Sequence, residues 1–281
     1  MKEFPRTTVG GVSVSRIIMG TNWIYGYSHT GASADKQILK RNSQLENVRD
    51  LLDAYMQYGI DTIMGPMSNP HVTMDAIKEL EQKYGRKIII IDTPIINVDD
   101  TAEGRKEAEK TIKRSKEIGA TFCLIHHSSC EQLINKNKST MDRLPDYLSM
   151  IRENDMVPGL SAHMPEVIVY SDLNNYDVET YIQIYNCLGF LMQVEVEYIN
   201  KVIWSAKKPV MTIKPMAAGR TTPFVGLNFS FNTIREKDMV TTGCFTSDEV
   251  HEVVEISFAA LERRQADLEG RNSPNKTSIM M

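Results

Sequence analysis

The feature that most constrains how this chain can fold is a regular alternation of short apolar runs with amphipathic helical segments. The apolar runs occupy residues 16–20, 60–64, 87–92, 121–125, 157–161, 190–196, 209–213 and 239–242. Continuous runs, such as the four isoleucines that precede Asp92, are typical of parallel strands buried on both faces. Eight strand–helix units in about 250 residues predict an α/β fold, the (β/α)8 TIM barrel. An open doubly wound sheet is the alternative, although no predicted strand is followed by the GxGxxG sequence of that fold.

One such barrel accounts for most of the 281 residues, so we predict a single domain over residues 1–264. Two segments fall outside the eight units. Residues 7–14 (TTVGGVSV) are predicted to form a short N-terminal hairpin that closes the bottom of the barrel, and residues 265–281 an irregular polar tail.

Composition and charge exclude several classes of protein. With 36 acidic and 32 basic residues, the chain lacks the basic surface that nucleic acid requires. No apolar run approaches the ~18 residues of a membrane span, and the first residues lack the apolar stretch of a secretory signal. Four scattered cysteines without zinc-finger spacing indicate a reducing compartment. We therefore expect a cytoplasmic protein with a small-molecule substrate and no nucleic acid or membrane partner, and the sequence leaves a homo-oligomer open.

In a TIM barrel the functional residues lie on the loops that follow the strands, at the C-terminal end of the barrel. Five ionisable residues follow predicted strands: Asp92, His126, His163, Glu195 and Lys214. Such a cluster indicates either a divalent metal site or a set of acid/base groups. The metal ligands would be His126, His163, Glu195 and Asp92, and the catalytic set would be His126, Asp92, Lys214 and Glu195. The alternative is a structural role, in which the histidines are hydrogen-bonded and Glu195 pairs with Lys214.

The twofold periodicity of a strand orients these side chains. In residues 190–196 a polar set that contains Glu195 alternates with an apolar set, so Glu195 is expected to point into the barrel. The adjacent His126 and His127 are expected to point in opposite directions, so that only one of them faces the site. Lys214 can stabilise an oxyanion or, if desolvated, act as a base or a Schiff-base nucleophile.

The loop after the first predicted strand contributes a polar and aromatic set of side chains. A sugar ring can stack on such a wall, so we predict that this loop binds substrate through Asn22, Trp23, Tyr25 and Tyr27.

Six motifs along the chain resemble those of the aldo-keto reductase superfamily. They are VGGVSVSRIIMGT at the start, GIDTI near the second strand, LIHH on the fourth, GLSAH on the fifth, QVEVEY on the sixth and IKPMAAGR on the seventh. The resemblance covers roughly residues 7–262. It implies a barrel that reduces carbonyl compounds with NAD(P) through an Asp, a Tyr, a Lys and a His. In this sequence Met64, Asn69 and Pro94 (or at best Asp92) occupy the positions of the first three, and only His126 matches.

The cofactor-binding residues implied by the resemblance are also partly replaced. Ser161 is kept, whereas Ala162 stands in place of an Asn and Glu195 in place of a Gln. Gly219 and Gly243, which follow the seventh and eighth strands, are the further candidates for cofactor binding. The loop after the eighth strand, TTGCFTSDE, has no basic residue to hold a nucleotide 2′-phosphate.

Three hypotheses about function follow. The first is an enzyme with an aldo-keto-reductase-like barrel that acts on a small polar, carbonyl- or sugar-like substrate. Its chemistry would be metal-assisted or acid/base, of the lyase, epimerase, isomerase or hydrolase type. The second is an NAD(P)-dependent oxidoreductase with an altered proton donor, and the third is a non-catalytic barrel used for binding.

Overall fold

Twelve strands and eleven α-helices follow one another along residues 2–268, the part of the chain that this computed structural model describes. The strands are β1 (Arg6–Val9), β2 (Val12–Ser15), β3 (Ile17–Gly20), β4 (Thr62–Gly65), β5 (Ile89–Asp92), β6 (Phe122–Ile125), β7 (Ile134–Asn135), β8 (Thr140–Met141), β9 (Val157–Ala162), β10 (Thr180–Ile184), β11 (Val210–Ile213) and β12 (Met239–Thr242). The helices are α1 (Asn22–Tyr25), α2 (Ala32–Asn42), α3 (Leu45–Met56), α4 (Thr73–Tyr84), α5 (Ala102–Glu117), α6 (His127–Cys130), α7 (Leu144–Glu153), α8 (Glu166–Asn174), α9 (Val196–Ser205), α10 (Pro223–Thr233) and α11 (Ser247–Glu262).

Eight of these strands form a closed barrel in which every strand is parallel to its neighbours. The order around the barrel is β3, β4, β5, β6, β9, β10, β11 and β12, and β12 pairs with β3. The interior is filled by buried apolar side chains, among them Ile18, Met64, Ile91, Phe122, Leu124, Ile182, Met211 and Met239. A second apolar core lies between the strands and the helices that cover them. The predicted (β/α)8 TIM barrel is confirmed, and its strands all end at the same edge.

The predicted N-terminal hairpin is also confirmed. Strands β1 and β2 pair in antiparallel fashion, and the side chains of Val9 and Val14 are fully buried against the interior of the barrel. Gly10 turns the chain with a φ of +53°, next to Val157 at the start of β9. The hairpin therefore closes the N-terminal end of the barrel and leaves the C-terminal end for a ligand.

The position of the sixth barrel strand was predicted wrongly. The strand expected at residues 190–196 is β10 (Thr180–Ile184), which lies earlier in the chain. Residues 190–195 lie in the loop before α9, whose buried Ile199, Val202 and Ile203 have the spacing of a helix. The polar–apolar alternation around Glu195 imitates a strand, whereas TYIQI in β10 has the β-branched and aromatic residues that a strand prefers.

The C-terminal segment begins after α11. Residues 265–268 contain no helix or strand, and the rest of the predicted tail lies outside the described residues. Among residues 2–268, no helix combines the length and the hydrophobicity needed to cross a membrane.

Candidate active site

A cavity of about 730 Å³ opens at the C-terminal end of the barrel. Its floor is formed by the inward side chains of Met64, Ile182, Ile213 and Thr241, and its walls by the loops after β3, β6, β9 and β11. Cavities of ~300–1,000 Å³ with apolar walls and a few polar groups are typical small-molecule sites. The cavity is therefore the candidate active site.

His126 presents a neutral imidazole to this cavity. It is the residue before α6, and its Nδ1 lies 3.3 Å from the backbone N of Ser128 and 2.8 Å from its hydroxyl. The backbone N–H can only donate, so Nδ1 accepts and the proton of the neutral ring is on Nε2. Burial, followed by the proximity of His127 and Lys214, lowers the pKa of His126 to about 4. At neutral pH, His126 therefore offers an uncharged Nε2–H donor.

Lys214 follows β11 and also lines the cavity. Within residues 2–268 its ammonium group makes no hydrogen bond or ion pair, and burial lowers its pKa from 10.5 to about 8. Its backbone is in the left-handed region, with a φ of +61°, a conformation that is costly for a residue with a Cβ and concentrates at functional sites. Lys214 is thus an unpaired, partly desolvated cation at the wall of the cavity.

Two further histidines stack beside this pair. The rings of His127 and His163 are parallel within 20°, with centroids 3.6 Å apart. Glu131 supports both, since its Oε1 accepts the backbone N–H groups of His163 and Met164 at 2.5 and 2.8 Å, and its Oε2 lies 3.8 Å from Nδ1 of His127. Burial and the nearby His127 and Lys214 lower the pKa of His163 to about 3. The ligand atoms of His127, Glu131 and His163 lie within 4.8 Å of one another.

The structure places His126, His163 and Lys214 in one cavity, together with His127. Both His126 and His127 line the cavity. The expectation that they point in opposite directions was wrong because β6 ends at Ile125 and His127 begins a helix, so the periodicity of a strand no longer applies.

Asp92 and Glu195 do not belong to this site, which corrects both the metal and the catalytic assignments. Asp92 is the last residue of β5 and faces the helix layer, where its carboxylate accepts the Ser115 hydroxyl at 2.6 Å and the backbone N–H of Ser68 at 3.1 Å. Glu195 precedes α9 and is exposed to solvent, and neither carboxylate lines the cavity. The predicted Glu195–Lys214 ion pair is absent among the described residues.

Three of the four residues predicted to bind substrate line the cavity. Asn22, Trp23 and Tyr27 do so, and Trp23 is held by an edge-on contact with Phe245 at 5.9 Å. Tyr25 does not line the cavity, because its buried side chain points away and its ring packs against His71, with centroids 4.7 Å apart.

The predicted cofactor residues Ser161, Gly219 and Gly243 all line the cavity. A Cβ at Gly243 would lie 3.2 Å from the indole of Trp23, so the backbone there runs close to the wall. Beyond it, the N-terminus of α11 is already occupied, because the Thr246 hydroxyl accepts from the N–H of Glu249 and the Glu249 carboxylate accepts from that of Phe245.

Two polar residues near the site were missed by sequence reasoning. Thr241 lines the cavity, and its hydroxyl is buried without a hydrogen-bond partner within residues 2–268. Its position two residues after the inward Met239 would have revealed it. Gln183 lies on the true sixth strand, fully buried with its Nε2 3.4 Å from the carbonyl of His163, but it does not line the cavity.

The placement of Asp92 makes a prediction. Asp92→Asn is expected to lower the free energy of unfolding by about 1–3 kcal/mol, because the buried hydrogen bonds to Ser115 and Ser68 lose a charged acceptor. Substrate turnover at a temperature where the variant is folded should be unchanged. Urea denaturation and initial rates, compared with the exposed control Asp50→Asn, measure both quantities. A loss of activity without a loss of stability would contradict this expectation and indicate that Asp92 takes part in the active site.

Comparison with known proteins bears on the fold. No protein-family model matches the chain, and no curated protein matches it by sequence. Among solved structures, an aldo-keto reductase candidate from Pseudomonas aeruginosa is similar, with a TM-score of 0.65 at 16% identity over 92% of this chain and 97% of that one. A glycerol dehydrogenase from Gluconobacter oxydans has a TM-score of 0.58 at 11% identity, covering 95% and 98% of the two chains.

An aldo/keto reductase from Klebsiella pneumoniae, solved in complex with NADP and acetate, has a TM-score of 0.53 at 12% identity, covering 94% and 92%. Identities this low describe the backbone and not the chemistry. Together with the closed parallel barrel and its N-terminal hairpin, they show that this chain has an aldo-keto-reductase-like TIM-barrel fold.

Proposed function

We propose that this protein is an enzyme that acts on a small carbonyl compound by polarising the carbonyl oxygen. The observation that carries the proposal is the unpaired Lys214 in the same cavity as the neutral Nε2–H of His126. Two donors of this kind stabilise the negative charge that develops on a carbonyl oxygen in the transition state.

The two donors have different roles because Lys214 is charged and His126 is neutral. Below about pH 8 Lys214 is an ammonium group, so it can both stabilise an oxyanion and give up a proton. His126 contributes a hydrogen bond that fixes the direction of the carbonyl. Because no carboxylate of residues 2–268 lines the cavity, the bases at hand are the neutral imidazole of His163 and the amine form of Lys214. This combination favours proton transfer next to the carbonyl, as in a lyase, an isomerase or an epimerase.

Exchange of hydrogen for deuterium tests the proposal without knowledge of the natural substrate. The protein is incubated in D₂O with dihydroxyacetone, glyceraldehyde, hydroxyacetone or pyruvate, and loss of the C–H signal beside the carbonyl is followed by NMR. We expect exchange with at least one compound, and its loss in Lys214→Met and His126→Gln. If no compound exchanges and no nicotinamide nucleotide binds, the proposal fails and the non-catalytic binding barrel is favoured.

A metal-assisted version has less support. With Asp92 and Glu195 outside the cavity, the candidate ligands are His127, Glu131 and His163. The two ring planes are nearly parallel, with centroids 3.6 Å apart. The nitrogen lone pairs lie in these two separate planes, so they do not converge on one ion at the ~2.0–2.1 Å of a zinc–nitrogen bond. The arrangement does not fit a tetrahedral ion, and we assign no step to a metal.

Removal of metal ions by a chelator tests the conclusion that no metal takes part. Treatment with EDTA, followed by elemental analysis, is expected to leave the exchange rate and the melting temperature unchanged. A loss of activity that added Zn²⁺ restores, together with about one metal ion per chain, would contradict this expectation and support rotation of His127 or His163 into a metal site.

The second candidate is an NAD(P)-dependent oxidoreductase in which Lys214 is the proton donor. The fold, the retained Ser161 and the cavity volume favour it. The loop after β12, which would hold the phosphates of the nucleotide, does not fit this role. Residues 242–249 contain no Lys or Arg, and the N–H groups at the N-terminus of α11 are bound by side chains of the same segment. We therefore derive no step through the nucleotide.

Tryptophan fluorescence distinguishes the second candidate from the first. The chain has two tryptophans: Trp23 lines the cavity, and Trp204 is exposed on α9. In a Trp204→Phe variant, quenching by NADPH or NADH at micromolar concentration would support the oxidoreductase. If neither nucleotide quenches the fluorescence, the oxidoreductase candidate is excluded.

The proposed partner is thus a small molecule, and the proposed location is the cytoplasm. All four cysteines are free thiols, and three of them are buried, as expected for a chain kept in a reducing compartment.

A further inference from the structure

The charges that line the cavity are unbalanced. Its lining contains Lys214, Arg114 at the outer edge and four histidines, His29, His126, His127 and His163. No Asp or Glu of the described residues lines it, in a chain with 36 acidic residues. The imbalance is local, because the chain as a whole is slightly acidic.

Three carboxylates near the cavity, those of Glu131, Asp35 and Asp92, are held by other groups. Glu131 is bound to two backbone N–H groups behind the histidine stack. Asp35 accepts the backbone N–H and the hydroxyl of Ser28 at 2.9 and 2.6 Å. Asp92 is directed into the helix layer. Asp35 and Asp92 are therefore hydrogen-bonded elsewhere, the second oxygen of Glu131 faces His127, and none of the three carboxylates is paired with Lys214.

An unpaired cation in a partly desolvated cavity is unfavourable unless a ligand supplies the opposite charge. The neighbouring histidines respond to the same field, since Lys214 contributes to lowering the pKa of His163 and of His126. An anion would reverse this effect, because it would favour the charged forms of the lysine and of the imidazoles. The cavity is therefore built for a ligand that brings negative charge with it.

We propose that the substrate is an anionic carbonyl compound, whose carboxylate or phosphate group is bound between Lys214 and the stacked His127 and His163. The inference rests on the proposed function for the carbonyl, but the anion site is independent of any reaction. Lys214 then lies between the anionic group and the carbonyl oxygen, which also faces His126. The apolar floor of Met64 and Ile182 receives the rest of a small molecule.

Equilibrium binding of matched probes at pH 7 tests the anion site. Pyruvate and methyl pyruvate differ by one charge, and inorganic phosphate distinguishes a phosphate site from a carboxylate site. By calorimetry we expect pyruvate or phosphate to bind about 10- to 100-fold more tightly than methyl pyruvate, as charge-assisted hydrogen bonds allow. The tighter of the two anions identifies the group that the natural substrate carries.

Three variants locate the site. Lys214→Met and His163→Gln are expected to weaken the anion by at least about tenfold and methyl pyruvate by much less. Lys201→Met, which removes an exposed lysine on α9, is the matched control and should change nothing.

The outcomes separate this inference from the proposed function. Equal binding of pyruvate and methyl pyruvate, or no binding of either anion at millimolar concentration, would overturn the anion site even if neutral carbonyl compounds react. Tight anion binding without deuterium exchange in any compound would leave the anion site standing and remove the proposed chemistry.

Discussion

Replacement of Lys214 by methionine is expected to lower kcat/KM for a carbonyl substrate by about 10²–10⁴-fold. Methionine has a similar length and fills the same space, but it can neither donate a proton nor stabilise an oxyanion. Lys214→Arg keeps the charge and should restore substrate binding more than kcat, because a guanidinium does not release its proton. Initial rates on the compound that exchanges in D₂O measure the effect.

The Lys214→Met variant is also expected to be more stable than the wild type at pH 7. Burial lowers the pKa of Lys214 from 10.5 to about 8, so the folded state disfavours the charged form. The stability associated with the neutral amine is fully present above about pH 10.5 and is lost as the pH falls to 8. At pH 7 the buried ammonium group of Lys214 therefore destabilises the folded state by its full amount. Methionine carries no charge, so Lys214→Met is expected to raise the free energy of unfolding by about 1–3 kcal/mol. Urea denaturation at pH 7 tests the gain.

The kcat/KM of the wild-type enzyme is expected to follow the pKa values of Lys214 and His126. If the ammonium form of Lys214 is active, kcat/KM should fall above about pH 8, where that form is lost. On the acid side, the rate should hold until His126 is protonated near pH 4. Lys201→Met should keep the whole profile. An unchanged rate in Lys214→Met, or an alkaline limb that persists in that variant, would contradict the assignment.

The fold could be predicted because its signal is repeated eight times along the chain. Seven strands lie where the apolar runs indicated them, and the closed barrel requires an eighth between β9 and β11. The error at the sixth strand shows the limit of a local pattern. Six residues of alternating polarity around Glu195 imitate a strand, whereas the true β10 carries Tyr181, whose hydroxyl reaches Asp172 on α8.

The site could be predicted only in part, because one residue of register decides whether a strand end faces the cavity or the helices. His126, His163 and Lys214 were found because each follows a strand directly. Asp92 also ends a strand, but its neighbour Ile91 fills the barrel interior, so the carboxylate must face outward. Sequence alone does not supply that parity when strand ends are known only to within two residues.

The largest effect on stability is expected at the opposite end of the barrel. Asp238, just before β12, is fully buried and accepts hydrogen bonds from Nε and Nη2 of Arg235 at 2.8 and 2.7 Å and from the backbone N–H of Val210 at 2.8 Å. Arg16, also buried, lies close enough to be influenced by the same carboxylate. Asp238 thus pairs with Arg235 and stabilises the charge of Arg16, in the region where a TIM barrel is stabilised and not where it reacts.

Asp238→Asn is expected to lower the free energy of unfolding by about 3–5 kcal/mol. It leaves the largely buried guanidinium of Arg235 without its paired carboxylate, and it removes the stronger of the two carboxylates, Asp238 and Glu236, that act on Arg16. For a chain of this size the melting temperature should fall by about 10 °C. Asp177→Asn is the matched control, because Asp177 makes the same paired contact with Arg152 but is exposed to solvent and should cost less than about 1 kcal/mol. Equal losses in the two variants would show that the buried pair is not the source of the effect. If the loss is large while deuterium exchange at 20 °C persists, the two ends of the barrel have separate roles, with Asp238 holding the strands and Lys214 carrying the chemistry.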